Sequence, residues 1–320
     1  MIWVIGCKGM LGSELALQLT QANIPWTGTG EEVDITNPQA LENFFNSTET
    51  ASYLSSHNTE NLADNGKIRW IINCAAYTAV DQSETDAGKA HAVNADGPMN
   101  IARTARAHGA RLIHISTDYV FDGTADIPYT ENFPKTPLGV YGRTKLEGEN
   151  NVSKGMTQYY IIRTSWLYGA GGHNFVYTMT NLMNRNDSVK VVNDQKGSPT
   201  FCGDLASVIL RFIEKADSAT SFFGKNSAAP YGTYNFTDDG ETTWYEFAKA
   251  IYQYGQKFGR ITHDCDIQPC TTAEYPSKAA RPAYSVLSKN KIEKELHIKI
   301  PSWESSLERF MKSGRFSPEK

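Results

Sequence analysis

The chain contains no apolar run that approaches the ~20 residues a membrane-spanning helix needs. Its opening residues, Met1-Ile2-Trp3-Val4-Ile5-Gly6, are apolar but too few for a signal peptide and lack a basic segment. A cytoplasmic protein with no membrane partner is the expectation. Blocks of basic residues are also missing: 31 Lys and Arg stand against 35 Asp and Glu, a net charge of -4. A protein that grips nucleic acid through its phosphates presents a basic patch, so that partner class is disfavoured. Cysteine is sparse, with Cys7, Cys74, Cys202, Cys265 and Cys270 forming an odd, scattered set. Such a set makes no disulfide framework. Cys265 and Cys270 lie close together, yet no second Cys/His pair stands near them with zinc-site spacing. Reduced thiols are expected. No internal repeat is present.

What is there has globular proportions: 40% hydrophobic and 21% charged residues over a length sufficient for a large core. The first half alternates strand-like and helical segments. Ile2-Trp3-Val4-Ile5 reads as a buried strand, and Leu11, Leu15 and Leu19 recur at helical spacing. Asn37-Pro38 signals a helix start, with Asn as N-cap, Pro at the first helical position and a buried face of Leu41, Phe44 and Phe45. Trp70-Ile71-Ile72, Leu112-Ile113-His114-Ile115 and Tyr160-Ile161-Ile162 read as further strands. Residues 90–107 suit a helix closed by Gly109. The polar stretch from Asn46 to Lys67 reads as a solvated surface excursion.

Strands alternating with helices imply an α/β fold, a Rossmann-type doubly wound parallel sheet. Beyond Ser165 the rhythm loosens, with short strands at Val189-Lys190-Val191-Val192 and Tyr234-Asn235-Phe236. A helix from Thr243 to Phe258 is opened by a capping box of Thr243 and Glu246. The expected division is a dinucleotide-binding domain over residues 1–165 and a smaller C-terminal α/β substrate domain over 166–320, with some chain crossing between them.

Directly after the first strand stands Gly6-Cys7-Lys8-Gly9-Met10-Leu11-Gly12, leading into a helix. Glycines allow a tight turn and close approach to a pyrophosphate, and the helix N-terminus supplies N–H groups and partial positive charge for that anion. The spacing is GxxGxxG, not the GxGxxG of the general fingerprint. Nicotinamide preference is normally read roughly 20 residues beyond the loop, where an acid binds the ribose 2′-hydroxyl. Here that stretch is Thr27-Gly28-Thr29-Gly30-Glu31-Glu32. Glu31 could serve as the acid, or the small residues could admit a 2′-phosphate. The balance tips to NADPH, with NADH left open.

Ser116-Thr117-Asp118-Tyr119 follows the strand at Leu112-Ile115 and so lies at a carboxyl end, where open parallel sheets bind ligands. Tyr141 and Lys145 are four apart, which puts both on one face of a helix. A free tyrosine has a pKa of ~10 and is a poor acid–base catalyst at neutral pH. A neighbouring ammonium is expected to lower that pKa and to hold the nicotinamide ribose. Thr117 offers a hydroxyl to a substrate carbonyl oxygen as charge develops on it. A YxxxK spacing alone is often a surface pair; the glycine loop and the hydroxyls at a strand end give it a chemical context.

Together these residues resemble the extended short-chain dehydrogenase/reductase superfamily, and within it the dTDP-4-dehydrorhamnose reductase family. The resemblance rests on Gly6 to Gly12, Asp34-Ile35-Thr36-Asn37-Pro38, Asn73-Cys74-Ala75-Ala76-Tyr77-Thr78-Ala79-Val80-Asp81, Ser116 to Phe121 and Tyr141 to Lys145. In the second half it continues through Arg163-Thr164-Ser165-Trp166, Val192-Asn193-Asp194-Gln195, Thr242-Thr243-Trp244-Tyr245 and Ala280-Arg281-Pro282. It implies a phosphate loop of Gly6, Gly9, Met10, Leu11 and Gly12, with Asp34 and Ile35 near the adenine. It implies that Ala75, Ala76, Tyr77 and Thr78 line the nicotinamide half, and that Thr117, Tyr141 and Lys145 are catalytic, the last two also touching cofactor. It implies substrate contacts at Thr117, Asp118, Tyr141, Trp166, Asn174, Phe175 and Arg281. For Trp166 and Phe175 alone, burial in a core is the plainer reading; for Arg281 it is a surface ion pair, although an arginine suits a diphosphate.

The activity so implied is reduction of the C4 carbonyl of dTDP-4-dehydro-β-L-rhamnose to dTDP-L-rhamnose by NAD(P)H, with Tyr141 as proton donor. The alternatives are a related nucleotide-sugar reductase or epimerase acting on another sugar, and a non-catalytic relative such as the regulatory subunit of methionine adenosyltransferase. The intact Thr117, Tyr141 and Lys145 favour an enzyme. Some members bind magnesium through acidic side chains at a dimer contact; no metal site can be placed here, and the chain is expected as a monomer or homodimer.

Overall fold

The computed structural model describes residues 1–47, 67–219, 228–275 and 277–317. Most of the stretch expected as a surface excursion between Asn46 and Lys67 lies outside the described residues.

Strand β1 (Ile2–Ile5) shows in miniature why a two-faced sheet forms. Its side chains alternate: Ile2 and Val4 join one hydrophobic cluster, Trp3 and Ile5 another, and all four are buried. An apolar run with both faces covered is the signature of a parallel sheet. β2 (Trp26–Thr29), β3 (Trp70–Asn73), β4 (Arg111–Thr117), β5 (Tyr159–Thr164) and β6 (Gly232–Asn235) complete it, all parallel, in the order β6-β5-β4-β3-β1-β2. The chain runs outward from β1 to β2, then crosses to β3 on the other side of β1. Ligands bind such sheets outside the carboxyl ends at that reversal.

Helix α1 (Met10–Gln21) buries Leu11, Leu15 and Leu19 on one face of the sheet. α2 (Pro38–Phe45) starts as expected, its N-cap Asn37 accepting from the Gln39 N–H, and Phe44 stacks on Trp3 at 4.5 Å between ring centroids. The helix expected over residues 90–107 begins earlier, at Ala87, and is not uniform. A π-helical segment, Ala92–Asp96, separates Ala87–His91 from α3 (Gly97–His108), which ends on Gly109 with φ +68°. Single π turns are rare and gather at functional sites. α4 (Val140–Gly155) carries Tyr141 and Lys145.

The boundary expected at residue 165 is crossed. α5 (Phe175–Met183) lies in the smaller lobe, but α6 (Cys202–Ala219) packs on the sheet beside α1, and β6 pairs with β5. The helix Asn290–Leu296 also buries Ile292 and Leu296 in that sheet-side core. The smaller lobe has its own core, with Met179, Met183 and Val191 packed among Phe247, Ile251 and Phe310. Within it α7 (Trp244–Lys257) lies against a parallel pair of strands, Ser188–Val192 and Asp266–Cys270, and packs on α8 (Trp303–Lys312). The capping box expected at α7 is half formed. Thr243 accepts from the Glu246 N–H at 3.2 Å, but the Glu246 carboxylate pairs with Lys249. All five cysteines are free. No helix among the described residues is long and apolar enough to cross a membrane.

Candidate active site

The glycine loop closes β1 onto α1 at the sheet's reversal. Gly6 has φ +78°, and a Cβ there would stand 2.9 Å from the Ala75 nitrogen at the end of β3. A Cβ on Gly12 would stand 2.1 Å from the Gly6 carbonyl oxygen, so only glycine lets the helix press against the turn. The N–H groups of Gly6 and Cys7 both donate to the Thr29 carbonyl, at 2.7 and 3.0 Å. Gly9 is the N-cap of α1 and makes no side-chain cap, which leaves the first amides of the helix, at Met10 and Leu11, to an anion. A bare helix N-terminus over a turn too tight for side chains fits a dinucleotide pyrophosphate.

Just past the end of β2, Glu32 is tied to the neighbouring backbone and to the glycine loop. Glu32 accepts from the Gly30 N–H at 2.7 Å and from Lys8 Nζ at 3.1 Å. Those bonds hold its carboxyl down at about 2, the Gly30 N–H first among the causes. Thr29 is buried and accepts from Trp3 Nε1 at 3.0 Å. Asp34 turns its carboxylate onto the N–H and hydroxyl of Thr36, while Ile35 packs against Gly97 at the head of α3.

On α4, Tyr141, Lys145 and Glu149 follow one another at four-residue spacing on one face. The Glu84 carboxylate accepts from the Val140 N–H at 2.8 Å and so caps the positive end of the helix. Lys145 is buried and donates to the Ile115 carbonyl of β4 at 2.7 Å. Burial brings its amine down to about 8, against the pull of Glu149. The depression expected for Tyr141 is not found. Burial pushes the phenol upward, and the Thr117 hydroxyl beside it only partly offsets this.

Thr117, the last residue of β4, donates to Asp118 Oδ1 at 3.0 Å. Asp118 is 2% exposed, its Oδ2 has no hydrogen-bond partner among the described residues, and burial pushes its carboxyl up to about 6 although Ser285 and Thr117 lie against it. Thr117, Asp118, Tyr141 and Lys145 are thus brought together at the carboxyl ends of the central strands.

Behind them lies a buried polar layer that the sequence did not disclose. Glu149 accepts from Arg163 Nε and Nη2 at 2.8 and 2.7 Å and from Ser116 Oγ at 2.6 Å. Asn73 Oδ1 accepts from the Ala75 N–H at 3.1 Å, which fixes its amide, so its Nδ2 donates to His114 Nδ1 at 3.1 Å. His114 is therefore neutral with its proton on Nε2, in keeping with burial, which holds its pKa well below the usual value.

Asn94, in the π segment, is the residue sequence reasoning missed. Its Oδ1 accepts from the Tyr77 N–H at 2.9 Å, and its Nδ2 donates to the Tyr77 carbonyl at 3.1 Å and to Thr144 Oγ1 at 3.3 Å. It thereby ties the Ala75-Ala76-Tyr77-Thr78 segment to the catalytic helix. Gly148 lets that helix come close, since a Cβ there would stand 2.1 Å from the Asn94 carbonyl oxygen. The one available signal was a polar residue in helical register with Ala90, Gly97 and Ile101, all buried.

The expected substrate-side residues divide. Trp166 follows β5 with φ +48° and stacks on Trp244, ring centroids 3.6 Å apart, and Phe175 lies 4.6 Å from Trp244. Asn174 is committed to structure: it caps α5 by accepting from the Tyr177 N–H at 3.1 Å and donates to the Gly169 carbonyl at 3.0 Å. Arg281 pairs with Asp81 at 2.8 Å and lies against the Tyr119 hydroxyl. Among the described residues no group of three or more His, Cys, Asp or Glu is placed to hold a metal.

Comparison with known proteins agrees with this geometry. The model of the RmlD substrate binding domain family matches residues 1–316. A dTDP-4-dehydrorhamnose reductase of Sinorhizobium fredii is 40% identical over 242 residues, 75% of this chain and 79% of the relative. The crystal structure of such a reductase from Clostridium acetobutylicum is 39% identical with a TM-score of 0.83, covering 97% of this chain and 98% of the other. That of the Bacillus anthracis reductase in complex with NADP is 34% identical with a TM-score of 0.80, covering 97% of each chain. With its doubly wound sheet and its glycine loop, the chain belongs to the dTDP-4-dehydrorhamnose reductase family.

Proposed function

We propose that this chain reduces the C4 carbonyl of dTDP-4-dehydro-β-L-rhamnose to dTDP-L-rhamnose, using NADPH in preference to NADH, in the cytoplasm. The observation that carries the reading is the convergence of Thr117, Tyr141 and buried Lys145 at the carboxyl ends of the sheet, beside an uncapped helix N-terminus. A reduced nicotinamide bound at the sheet's reversal supplies the hydride. Gly6, Gly9, Met10, Leu11 and Gly12 would hold its pyrophosphate, and Ala75 to Thr78, clamped by Asn94, would wall its reactive end.

Burial keeps Tyr141 in its protonated form at neutral pH, so it is an acid that gives its proton to the C4 oxygen as the carbonyl becomes an alcohol. Thr117 holds that oxygen by a hydrogen bond while negative charge develops there. Lys145, near its titration range at about 8, supplies a positive charge behind the tyrosine that favours release of the phenolic proton. Lys8, lying across Gly30 at the end of β2, would supply the cation for a 2′-phosphate by leaving its pair with Glu32, and the NADPH preference rests on that exchange. The product is an activated deoxysugar suited to surface polysaccharide.

The test is NADPH and NADH oxidation with dTDP-4-dehydro-β-L-rhamnose generated in situ, on wild type and Tyr141→Phe. Wild type should turn over. The variant should lose about 10²–10⁴-fold in kcat while binding NADPH within about twofold of wild type, because only the proton donor is gone. No turnover by well-folded wild type would refute the reading, and near-normal turnover by Tyr141→Phe would remove Tyr141 from the mechanism.

A further inference from the structure

Helices α3 and α4 pack on the Trp3 face of the sheet through Ile101, Ala105 and Val152. On their outer side they leave a groove of about 480 Å³ between Met99, Arg103, Arg106 and Ala107 of α3 and Asn151 and Lys154 of α4. Arg103, Arg106 and Lys154 are all exposed, and no acidic residue lines the groove. Elsewhere in the fold Arg69, Arg111, Arg163 and Arg309 each pair with a carboxylate, and His108, at the end of α3, pairs with Glu42 at 2.8 Å. Arg103 and Lys154 have no hydrogen-bond or ion-pair partner among the described residues. Arg106 gives one bond, from Nη1 to the Gly155 carbonyl at 3.4 Å. A cation in the last turn of a helix often answers only the macrodipole, and Arg106 and Lys154 stand in the last turns of α3 and α4. Two helix ends bring roughly half a negative charge each, so three cations leave the groove positive by about two charges. That surplus sits on a chain whose net charge is -4.

We propose that this groove binds a nucleoside diphosphate at a site separate from the catalytic cleft. Two guanidinium forks and an ammonium match adjacent phosphates, and a guanidinium plane also stacks on a base. Met99 and Ala107 add an apolar lining. Asn151 spends its Nδ2 on the Ala95 carbonyl at 3.0 Å, which keeps its Oδ1 as an acceptor for a base or ribose donor. The volume lies within the ~300–1,000 Å³ of small-molecule sites and exceeds what a lone phosphate fills. Lys154 follows Tyr141 by 13 residues on α4, about 20 Å at ~1.5 Å per residue. The groove therefore shares no residue with the reductase site and stands independently of that reading.

The experiment uses the full chain saturated with NADPH, so that the dinucleotide phosphate loop is filled. ADP and inorganic pyrophosphate are titrated by calorimetry into wild type, Arg103→Gln and the triple variant Arg103→Gln, Arg106→Gln, Lys154→Gln. The rate at which acetic anhydride labels the Lys154 amine, read by mass spectrometry with and without each probe, locates the ligand. Arg103→Gln should weaken ADP about tenfold, and the triple variant should weaken it about a hundredfold or more, since each change removes one charge-assisted contact. ADP should slow labelling of Lys154 in wild type and leave exposed Lys190 unaffected. Pyrophosphate should occupy the same site about tenfold more weakly than ADP, because it leaves the base and ribose contacts unmade. All three substituted side chains are exposed, so the variants should melt within about 2 °C of wild type.

No ADP binding by NADPH-saturated wild type at millimolar concentration would overturn the inference. So would ADP affinity unchanged in the triple variant, or Lys154 labelling unchanged by ADP, since either would put the nucleotide elsewhere. Pyrophosphate bound as tightly as ADP would overturn the nucleoside assignment and leave a site for the inorganic anion. A Lys154 amine that resists labelling without any probe would mean a groove covered by a second copy of the chain, and would overturn the ligand site as well. None of these readouts requires turnover, so failure of the reductase reading would leave them intact.

Discussion

Glu149 offers the sharpest test of how the catalytic helix is held. The residue is 4% exposed and its carboxylate takes three hydrogen bonds, two of them from the buried Arg163. Glu149→Gln removes the charge and keeps the shape, so Arg163 is left as an uncompensated buried cation. Breaking one side of a buried pair costs ~3–5 kcal/mol, more than the pair contributes relative to an apolar replacement. For a chain of this size, about 2 °C of melting temperature per kcal/mol is a fair conversion, so the variant should melt roughly 6–10 °C lower.

The double variant Glu149→Gln with Arg163→Met should recover most of that loss, apart from the bond Arg163 Nη1 gives the Glu131 carbonyl at 3.1 Å. Lys145 adds a functional readout. Glu149 favours its charged form, so without Glu149 the amine, already brought down to about 8 by burial, titrates lower still. The alkaline limb of kcat should move to lower pH. Melting curves of the four proteins in the cycle, with pH profiles of wild type and Glu149→Gln, check both parts. A Glu149→Gln protein that melts within about 2 °C of wild type, or a double variant no more stable than it, would refute the reasoning.

Two further outcomes follow from individual groups. Lys8→Ala should raise KM for NADPH about tenfold and leave KM for NADH within about twofold, since a single cation–phosphate contact is removed; equal changes in both would place the 2′-phosphate elsewhere. Asp118, pushed by burial to about 6, has a folded pKa above its unfolded value. Its contribution to stability is therefore full below the unfolded carboxylate range of ~4 and is lost as pH rises through about 6. Asp118→Asn cannot ionise, so it should gain stability relative to wild type between pH 4 and 6 in urea titrations, and a flat difference across that window would mean Asp118 stays charged.

What the sequence disclosed is what chemistry imposes on neighbours in the chain. A glycine turn between strand and helix, hydroxyls at a strand end and a YxxxK spacing each lie within a few residues, so each could be read directly. The buried layer could not. Asn94 meets Tyr77, Glu149 meets Arg163 and Asn73 meets His114 only after the chain has folded, and a single sequence carries no record of such pairings. That Glu32 bonds the Gly30 amide likewise depends on the path of the folded turn. The strand at Tyr234-Asn235-Phe236 was legible from its composition, but its seat beside β5 was not, because periodicity names a strand and never its partner. The pKa of Tyr141 went against expectation for the same reason: spacing shows that a lysine is near, whereas the degree of burial that outweighs it is a property of the whole fold.

The two kinds of contact differ in how readily they admit substitution. The proposed proton chemistry sits on α4 and the end of β4, elements bound to one another by buried polar contacts through Lys145 and Glu149, and α4 is bound to the Tyr77 segment through Asn94. Altering any of these exposes a charge or an amide with no partner, so the layer resists substitution energetically. The aromatic cluster is different. Trp166, Trp244 and Phe175 are joined by ring contacts, without ionised groups, and Trp244 arrives from the smaller lobe on α7. Aromatic packing tolerates replacement by other apolar shapes at modest cost. These aromatics can therefore change shape while the tyrosine, the lysine and the threonine keep their places.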